Sequence, residues 1–216
     1  MVIAGSLDPW SDLFPDNLIP DIIDLVLEAW QQFRCASAVE LEIRITQRFR
    51  AVLRQFKKLR RLPVTIHREC WEDDAAGVAL GRIDLRFLHG YEEDVYFAFE
   101  CKRLNVNFPS GKQSLASDYT GTDGMMCYVN GQYGGSLTSG GMLGYVMDGD
   151  VPAATLSVAG SIRARRQALK MDTTGELPES SVRPGIEGVK ETIHRLEDRL
   201  FVIHHLFLGA VVAAPG

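Results

Sequence analysis

The sequence predicts an α/β fold in the order helix, strand, strand, strand, helix, strand, helix, and three observations carry that expectation. Two neighbouring stretches, Gly81 to Phe87 and Val95 to Lys102, alternate apolar and polar residues across a polar connection, His89-Gly90-Tyr91-Glu92-Glu93-Asp94. That is the pattern of an antiparallel hairpin. Before it lie two stretches with helical apolar spacing, and after it come apolar runs of strand length separated by a further helical segment.

Composition fits a single domain spanning residues 1–216, with an N-terminal arm and helix over 1–36. At 216 residues, 46% hydrophobic and 24% charged, the chain is long enough to bury a proper core. The four cysteines, Cys35, Cys70, Cys101 and Cys127, show neither a C-x-x-C pair nor metal-ligand spacing. Together with a start that lacks a basic, apolar leader, this gives a reduced, cytoplasmic location as the expectation. The longest apolar run, Leu200 to Ala214, is interrupted by His204, His205 and Gly209, so no membrane partner is expected. A net charge of -5 exerts no global pull on nucleic acid, and any such binding has to be local.

In chain order, Gly5 to Pro20 reads as an extended arm carrying Trp10 and Phe14. A broadly apolar helix follows from Asp21 to Phe33. Ser37, with Glu40 three residues on, suits a capping box for a second helix running to about Arg60. Its stripe comprises Leu41, Ile45, Phe49, Val52, Leu53, Phe56 and Leu59, with Glu42 inside the stripe and Glu40 opposite it, at about 100° per residue. A carboxylate drawn into a buried face requires a partner or a metal. Pro63 ends the helix, and Val64 to Cys70 alternates as the first strand.

After Lys102 the sequence predicts a polar stretch, then a helix from Lys112 through Tyr119 and onward toward Tyr128. The stretch from Gly121 to Gly149 is dense in glycine and reads as a flexible loop before a strand over Met142 to Met147. The next helix, about Ala153 to Lys170, spaces Arg163, Arg166 and Lys170 so that they share a face. Met171 to Gly188 reads as loop. Thr192 to Leu196, a turn at Glu197-Asp198 and an apolar strand from Leu200 to Leu208 close the chain.

Within the hairpin, strand alternation places Ile83, Leu85 and Phe87 on one face and Arg82, Asp84 and Arg86 on the other. In the second strand Val95, Phe97, Phe99 and Cys101 share the apolar side, leaving Glu100 and Lys102 with Tyr96 and Ala98 opposite. Antiparallel pairing then brings Asp84 near Glu100, beside Lys102. Taken alone, a Glu or Asp followed two residues later by Lys arises about once in a chain this long from ordinary composition. It would be read as a solvated strand face. The inference rests on the coincidence of both strand phases, the hairpin and Glu42.

These parts resemble the core of the PD-(D/E)xK nuclease superfamily, with Asp84 on the second strand, Glu100-x-Lys102 on the third and Glu42 at the first-helix acidic position. The resemblance covers roughly residues 39 to 150 and implies a restriction-endonuclease-like αβββαβ core, a mixed central sheet flanked by helices. Ile83 stands where the motif has proline. Gln113 and Tyr119 are six apart, which does not match the Gln-x-x-x-Tyr helix of the exonuclease-type branch. The glycine and aromatic content of Tyr119 to Tyr133 is similar to poorly characterised bacterial members found beside defence genes.

The resemblance implies a Mg2+-dependent endonuclease, with Mn2+ able to substitute, acting on DNA more than RNA, in anti-phage defence. Asp84, Glu100 and the Cys101 backbone carbonyl would hold the ion. Glu42 would hold a second ion or orient water, and Lys102 would position the attacking water or stabilise developing negative charge. These types suit the chemistry, since Mg2+ takes oxygen ligands and one or two protein carboxylates. Beside two carboxylates Lys102 stays protonated, which suits orienting better than deprotonating. Arg163, Arg166 and Lys170 would hold the phosphate backbone, or else form an ordinary solvated helix face. Cutting both strands implies a homodimer or a protein partner subunit.

Other motifs carry less. His204 and His205 face opposite sides of one strand, so they form no two-histidine clasp, and His194-Arg195 is a weaker candidate for substrate contact. Cys101 points to the apolar side, which disfavours a thiolate nucleophile. The glycine-rich loop lacks the G-x-x-x-x-G-K-[ST] pattern. Two alternatives stay open: a non-catalytic subunit that docks a partner through the apolar first helix and the final strand, and a hydrolase of another phosphoester.

Overall fold

The computed structural model describes residues 14–73, 79–90, 95–133 and 137–213. The expected Trp10 of the arm, the connection at 91–94 and the pair Gly134-Gly135 lie outside them. Helix α1, Ile19–Gln32, starts with Pro20 and Asp21 in its first turn and buries Ile22, Ile23, Leu25, Val26, Ala29 and Trp30. It lies against helix α2, Glu42–Arg60.

The start of α2 differs from the capping-box expectation. Its N-cap is Leu41, with no side-chain cap. Glu40 instead is nearly fully buried, accepts the Ala36 amide and pairs with Arg48 at 2.6 Å. Ile45, Phe49 and Leu53 are buried as expected, but Leu41 and Leu59, at the two ends of the stripe, are 59% and 77% exposed. The stripe is wider than the surface it packs on.

One six-stranded sheet forms the middle of the molecule. Strands β1 (Val64–Asp73), β2 (Ala79–His89) and β3 (Tyr96–Leu104) pair antiparallel in sequence. Strand β4 (Val106–Phe108) and strand β5 (Gly111–Gln113) make a separate hairpin, so Lys112 sits on a strand and not in the expected helix. Only two short helices follow, α3 (Ala116–Tyr119) and α4 (Met126–Val129). Strand β6 (Ser139–Val146) then runs parallel to β3, helix α5 (Val151–Arg165) crosses back, and β7 (Val189–Arg195) and β8 (Leu200–Gly209) close the sheet. The order is β1-β2-β3-β6-β8-β7. The protein is thus mixed α/β, a mixed sheet flanked by helices.

Each sheet face has its own core. Leu85, Phe87, Phe97, Phe99, Cys101, Leu143 and Tyr145 pack against α1 and α2. Trp30 anchors that layer by stacking on Tyr145 at 5.2 Å and donating Nε1–H to the Gly209 carbonyl at 2.7 Å. Tyr96, Ala98, Met142, Tyr119, Tyr128 and the Ala154, Val158, Ile162 stripe of α5 fill the other face. Ile83 belongs to this second core, against the expected alignment with Leu85 and Phe87. The alternation shifts at Asp84, where the facing strand holds Glu69 at φ 51, a left-handed conformation that distorts the β1–β2 ladder.

Part of the glycine-dense segment is strand. On β6, a Cβ on Gly140 would collide with the Tyr128 ring, and one on Gly141 with the Phe99 ring. Glycine here makes room for aromatic rings, and the Tyr128 hydroxyl donates to the Ala98 and Gly141 carbonyls across the two strands. Phe14, from the arm, packs on Phe97 and His89.

The β7–β8 hairpin buries three histidines. Tyr119 Oη meets His205 Nδ1 at 2.9 Å, His205 Nε2 meets Thr192 Oγ1 at 2.9 Å, Thr192 meets His194 Nε2 at 2.7 Å, and His194 Nδ1 meets the Leu169 carbonyl at 2.6 Å. His194 is therefore a core residue, fully buried and held at both ring nitrogens. His204 packs on Phe97, and among the described residues its buried Nδ1 has no hydrogen-bond partner. Burial pushes His194 and His204 down to about 4 and His205 well below its ordinary value. The folded protein keeps these rings neutral while the unfolded chain protonates them, so stability is complete above about pH 6.5 and is lost as pH falls toward 4. Thermal midpoints are expected to drop across that window, with roughly 3 kcal/mol at stake for His204. His204→Leu is expected to make the profile shallower while His194 and His205 keep their share, and a profile unchanged by that substitution would contradict the assignment.

Candidate active site

The β2–β3 ladder ends at the pair Leu85↔Phe99, whereas the β3–β6 ladder continues to Leu104. From Cys101 onward, one edge of β3 has lost its partner strand. Backbone amides left there need acceptors. Asp84 Oδ2 accepts the Cys101 amide at 2.9 Å, and Glu42 Oε2, from the first turn of α2, accepts the Arg103 amide at 2.9 Å. The gap between two strands is closed by two carboxylates from two different elements.

Glu100 and Lys102 complete the cluster. Lys102 Nζ lies 2.6 Å from Glu100 Oε1, 3.0 Å from the Cys101 carbonyl and 3.4 Å from Glu42 Oε1. Asp84 and Glu100 lie close enough for the charge of Asp84 to act on the Glu100 carboxyl. All four expected side chains, Asp84, Glu100, Lys102 and Glu42, therefore meet, together with the expected Cys101 carbonyl. The Cys101 thiol points away into the first core, takes a hydrogen bond from Tyr145 Oη at 3.3 Å and is pushed well up by burial.

Electrostatics follow from the crowding. Glu100 is 4% exposed. Burial first, and then the Asp84 charge, push its carboxyl up to about 8, against the pull of Lys102. Burial also raises Asp84 and Glu42, with Lys102 opposing in each case. For Lys102, burial works against the ammonium, but Glu100, Glu42 and Asp84 outweigh it and hold the group above its ordinary value. The lysine stays protonated. Near neutral pH the Glu100 carboxyl favours its protonated form, because burial and the neighbouring Asp84 charge outweigh the pull of Lys102.

Several residues around the site, Tyr133 and Arg165 foremost, are not among those expected from the sequence. Tyr133 Oη lies 2.8 Å from Glu100 Oε2 and 2.9 Å from the Arg82 carbonyl, tying the glycine-rich segment to both strands. Arg165, the last residue of α5, lines a polar cavity of about 540 Å³ with Glu42, Lys102, Ser117, Asp118 and Thr122. An aromatic hydroxyl among the glycines was the only signal for Tyr133, and nothing in helical spacing singled out Arg165.

The basic trio does not form the expected face. Helix α5 ends at Arg165, and Lys170 lies beyond it at φ 50. Arg163 pairs with Glu176 at 2.8 Å, while Arg166 donates to the Thr173 carbonyl. Arg166 and Lys170 line a separate cavity of about 520 Å³ with Asp172 and Arg195.

The donor set suits a hard divalent cation, since Asp84, Glu100 and the Cys101 carbonyl offer only oxygen. Among the described residues no three His, Cys, Asp or Glu side chains are grouped to ligate an ion, and Mg2+, which keeps several waters, needs no more than one or two carboxylates. Comparison with protein-family models, with curated proteins and with solved structures finds no match. Among the described residues no helix is long and apolar enough to cross a membrane.

Tyr133→Phe removes one hydroxyl from a buried carboxyl and a buried carbonyl. It is expected to lower stability by about 1–2 kcal/mol, read as a shift in the urea midpoint at constant slope. An unchanged midpoint would show that the hydroxyl contributes nothing.

Proposed function

We propose that the protein is a Mg2+-dependent nuclease of the PD-(D/E)xK type that hydrolyses phosphodiester bonds, in DNA rather than RNA, in keeping with a role against invading DNA. The observation that carries the reading is the meeting of Asp84, Glu100 and Lys102 with Glu42 where β2 leaves β3. The succession α2, β1, β2, β3, short helices, β6, with β6 parallel to β3, supports it by agreeing with an αβββαβ core. Each required residue type is in place: two neighbouring strands supply Asp84, Glu100 and Lys102, and α2, earlier in the chain, supplies Glu42.

A bound divalent ion supplies positive charge to the phosphate oxygens and lowers the pKa of water. Asp84, Glu100 and the Cys101 carbonyl would hold it. Lys102, fixed by Glu100 and kept protonated by its acidic neighbours, donates hydrogen bonds to the attacking water or to the phosphoryl oxygens and does not abstract a proton. Glu42, tied to the Arg103 amide, holds Lys102 from the other side and reaches the cavity where a phosphate enters. The cavity wall offers donors at Ser117, Thr122 and Arg165 and carboxylates at Asp118 and Asp123.

The docking alternative loses its surfaces. The apolar face of α1 is covered by the sheet and α2, and β8 is an interior strand between β6 and β7.

Purified protein with plasmid DNA and Mg2+ or Mn2+ is expected to cut, and chelation to stop it. Asp84→Ala and Lys102→Ala should each lose at least about 100-fold, as removal of a charged transition-state group does. Equal cutting by wild type and both variants would assign the activity to a contaminant. No cutting of DNA or RNA with either ion would overturn the proposal.

A further inference from the structure

The chain carries 28 acidic and 23 basic residues, yet its charge is unevenly placed. Residues 42–61 contain eight Lys or Arg and a single acid, Glu42 at the start. The buried stripe of α2 takes Ile45, Phe49 and Leu53, which turns the basic residues outward and sideways. Arg44, Arg54, Lys58 and Arg61 are exposed.

Three of the eight are committed within the protein. Arg48 pairs with Glu40, Arg60 pairs with Glu28, and Arg50 donates twice to the Ile66 carbonyl. Among the described residues Arg54, Lys57 and Lys58 have no acidic partner within 4 Å. They line, with Arg50 and His67, a small cavity of about 180 Å³ between α2 and the edge strand β1. Burial first, and then repulsion from Arg54 and Arg68, hold Arg50 below its ordinary value, so the cations crowd one another.

A helix dipole accounts for cations in the last turn only. It explains Lys57, Lys58 and Arg60 but neither Arg44 nor Arg54, and a merely solvated face normally mixes both signs. A row of cations without intervening acids fits a partner with regularly spaced negative charge. Arg44 and Lys58 are fourteen residues apart, about 21 Å of helix, which matches roughly six base pairs of duplex at about 3.4 Å each.

We infer that the outer face of α2, through Arg54, Lys57 and Lys58 beside β1, is the docking surface for the phosphate backbone of duplex DNA, at a distance from the site that Glu42 enters. The inference rests on the proposed function for its choice of polyanion. These contacts position the duplex without reading its sequence.

Binding of a labelled 20-base-pair duplex to the full chain in EDTA, followed by anisotropy over a salt series, tests it. The combined variant Arg54→Gln, Lys57→Gln, Lys58→Gln is expected to bind at least about tenfold more weakly, with the slope of log K against log salt reduced by about 2.7, or about 0.9 for each phosphate contact. Should the triple variant unfold, Arg54→Gln and Lys58→Gln separately should each reduce the slope by about 0.9. Identical affinity and slope in wild type and variants would overturn the inference. So would loss of binding to anionic phospholipid vesicles, or to single-stranded RNA, without loss of duplex binding. Weakened duplex binding in a protein that cuts nothing would sink the nuclease reading and leave the docking surface standing.

Discussion

The structure depends on where two strands stop pairing. A β3 edge that stayed bonded to β2 through Lys102 would have no amides to offer, and Asp84 and Glu42 would have no reason to be held there. Because pairing ends at Leu85↔Phe99, the unpaired amides of Cys101 and Arg103 each recruit a carboxylate. Two backbone hydrogen-bonding needs thereby assemble an acidic cluster, and the cluster in turn fixes Lys102. The site is a product of satisfying the main chain, with the chemistry built on top.

The surrounding framework is stiff where the site needs it. Behind Cys101 sits Tyr145, bonded to its thiol and to Thr46 and stacked on Trp30. In front of Glu100 sits Tyr133, reaching back to β2. The two cores press from opposite faces on the same stretch of β3, and close-packed interiors leave little freedom for such a stretch to shift.

Much of this was legible in the chain. Period-two alternation placed Glu100 and Lys102 together on one face, and a carboxylate inside an apolar helical stripe marked Glu42. Alternation failed at Ile83, because a distortion opposite Asp84 moved that side chain to the other core, and no residue pattern announces such a kink. Helix boundaries failed where side chains had competing uses: Glu40 had the spacing of a capping partner but was taken by Arg48 and the Ala36 amide. Lys112 looked helical because two short strands of three residues leave too little periodicity to read. Tyr133 and Arg165 come into the site only through the tertiary path of the chain. The basic run of α2 was passed over in favour of Arg163, Arg166 and Lys170, and the members without an acidic partner among the described residues stand out only once the ion pairs of their neighbours are known.

Strand β6 has a consequence for how this protein can change over time. At Gly140 and Gly141 the space beyond the α-carbon is filled by rings from Tyr128 and Phe99, one on each side of the sheet. Neither glycine can acquire a side chain unless its aromatic neighbour shrinks, and a smaller neighbour leaves a void unless the glycine grows. Each pair is therefore locked against single steps, and its two members are expected to covary across descendants of this chain. The centre of the sheet should carry the lineage's most durable signature, even where the surface around it diverges.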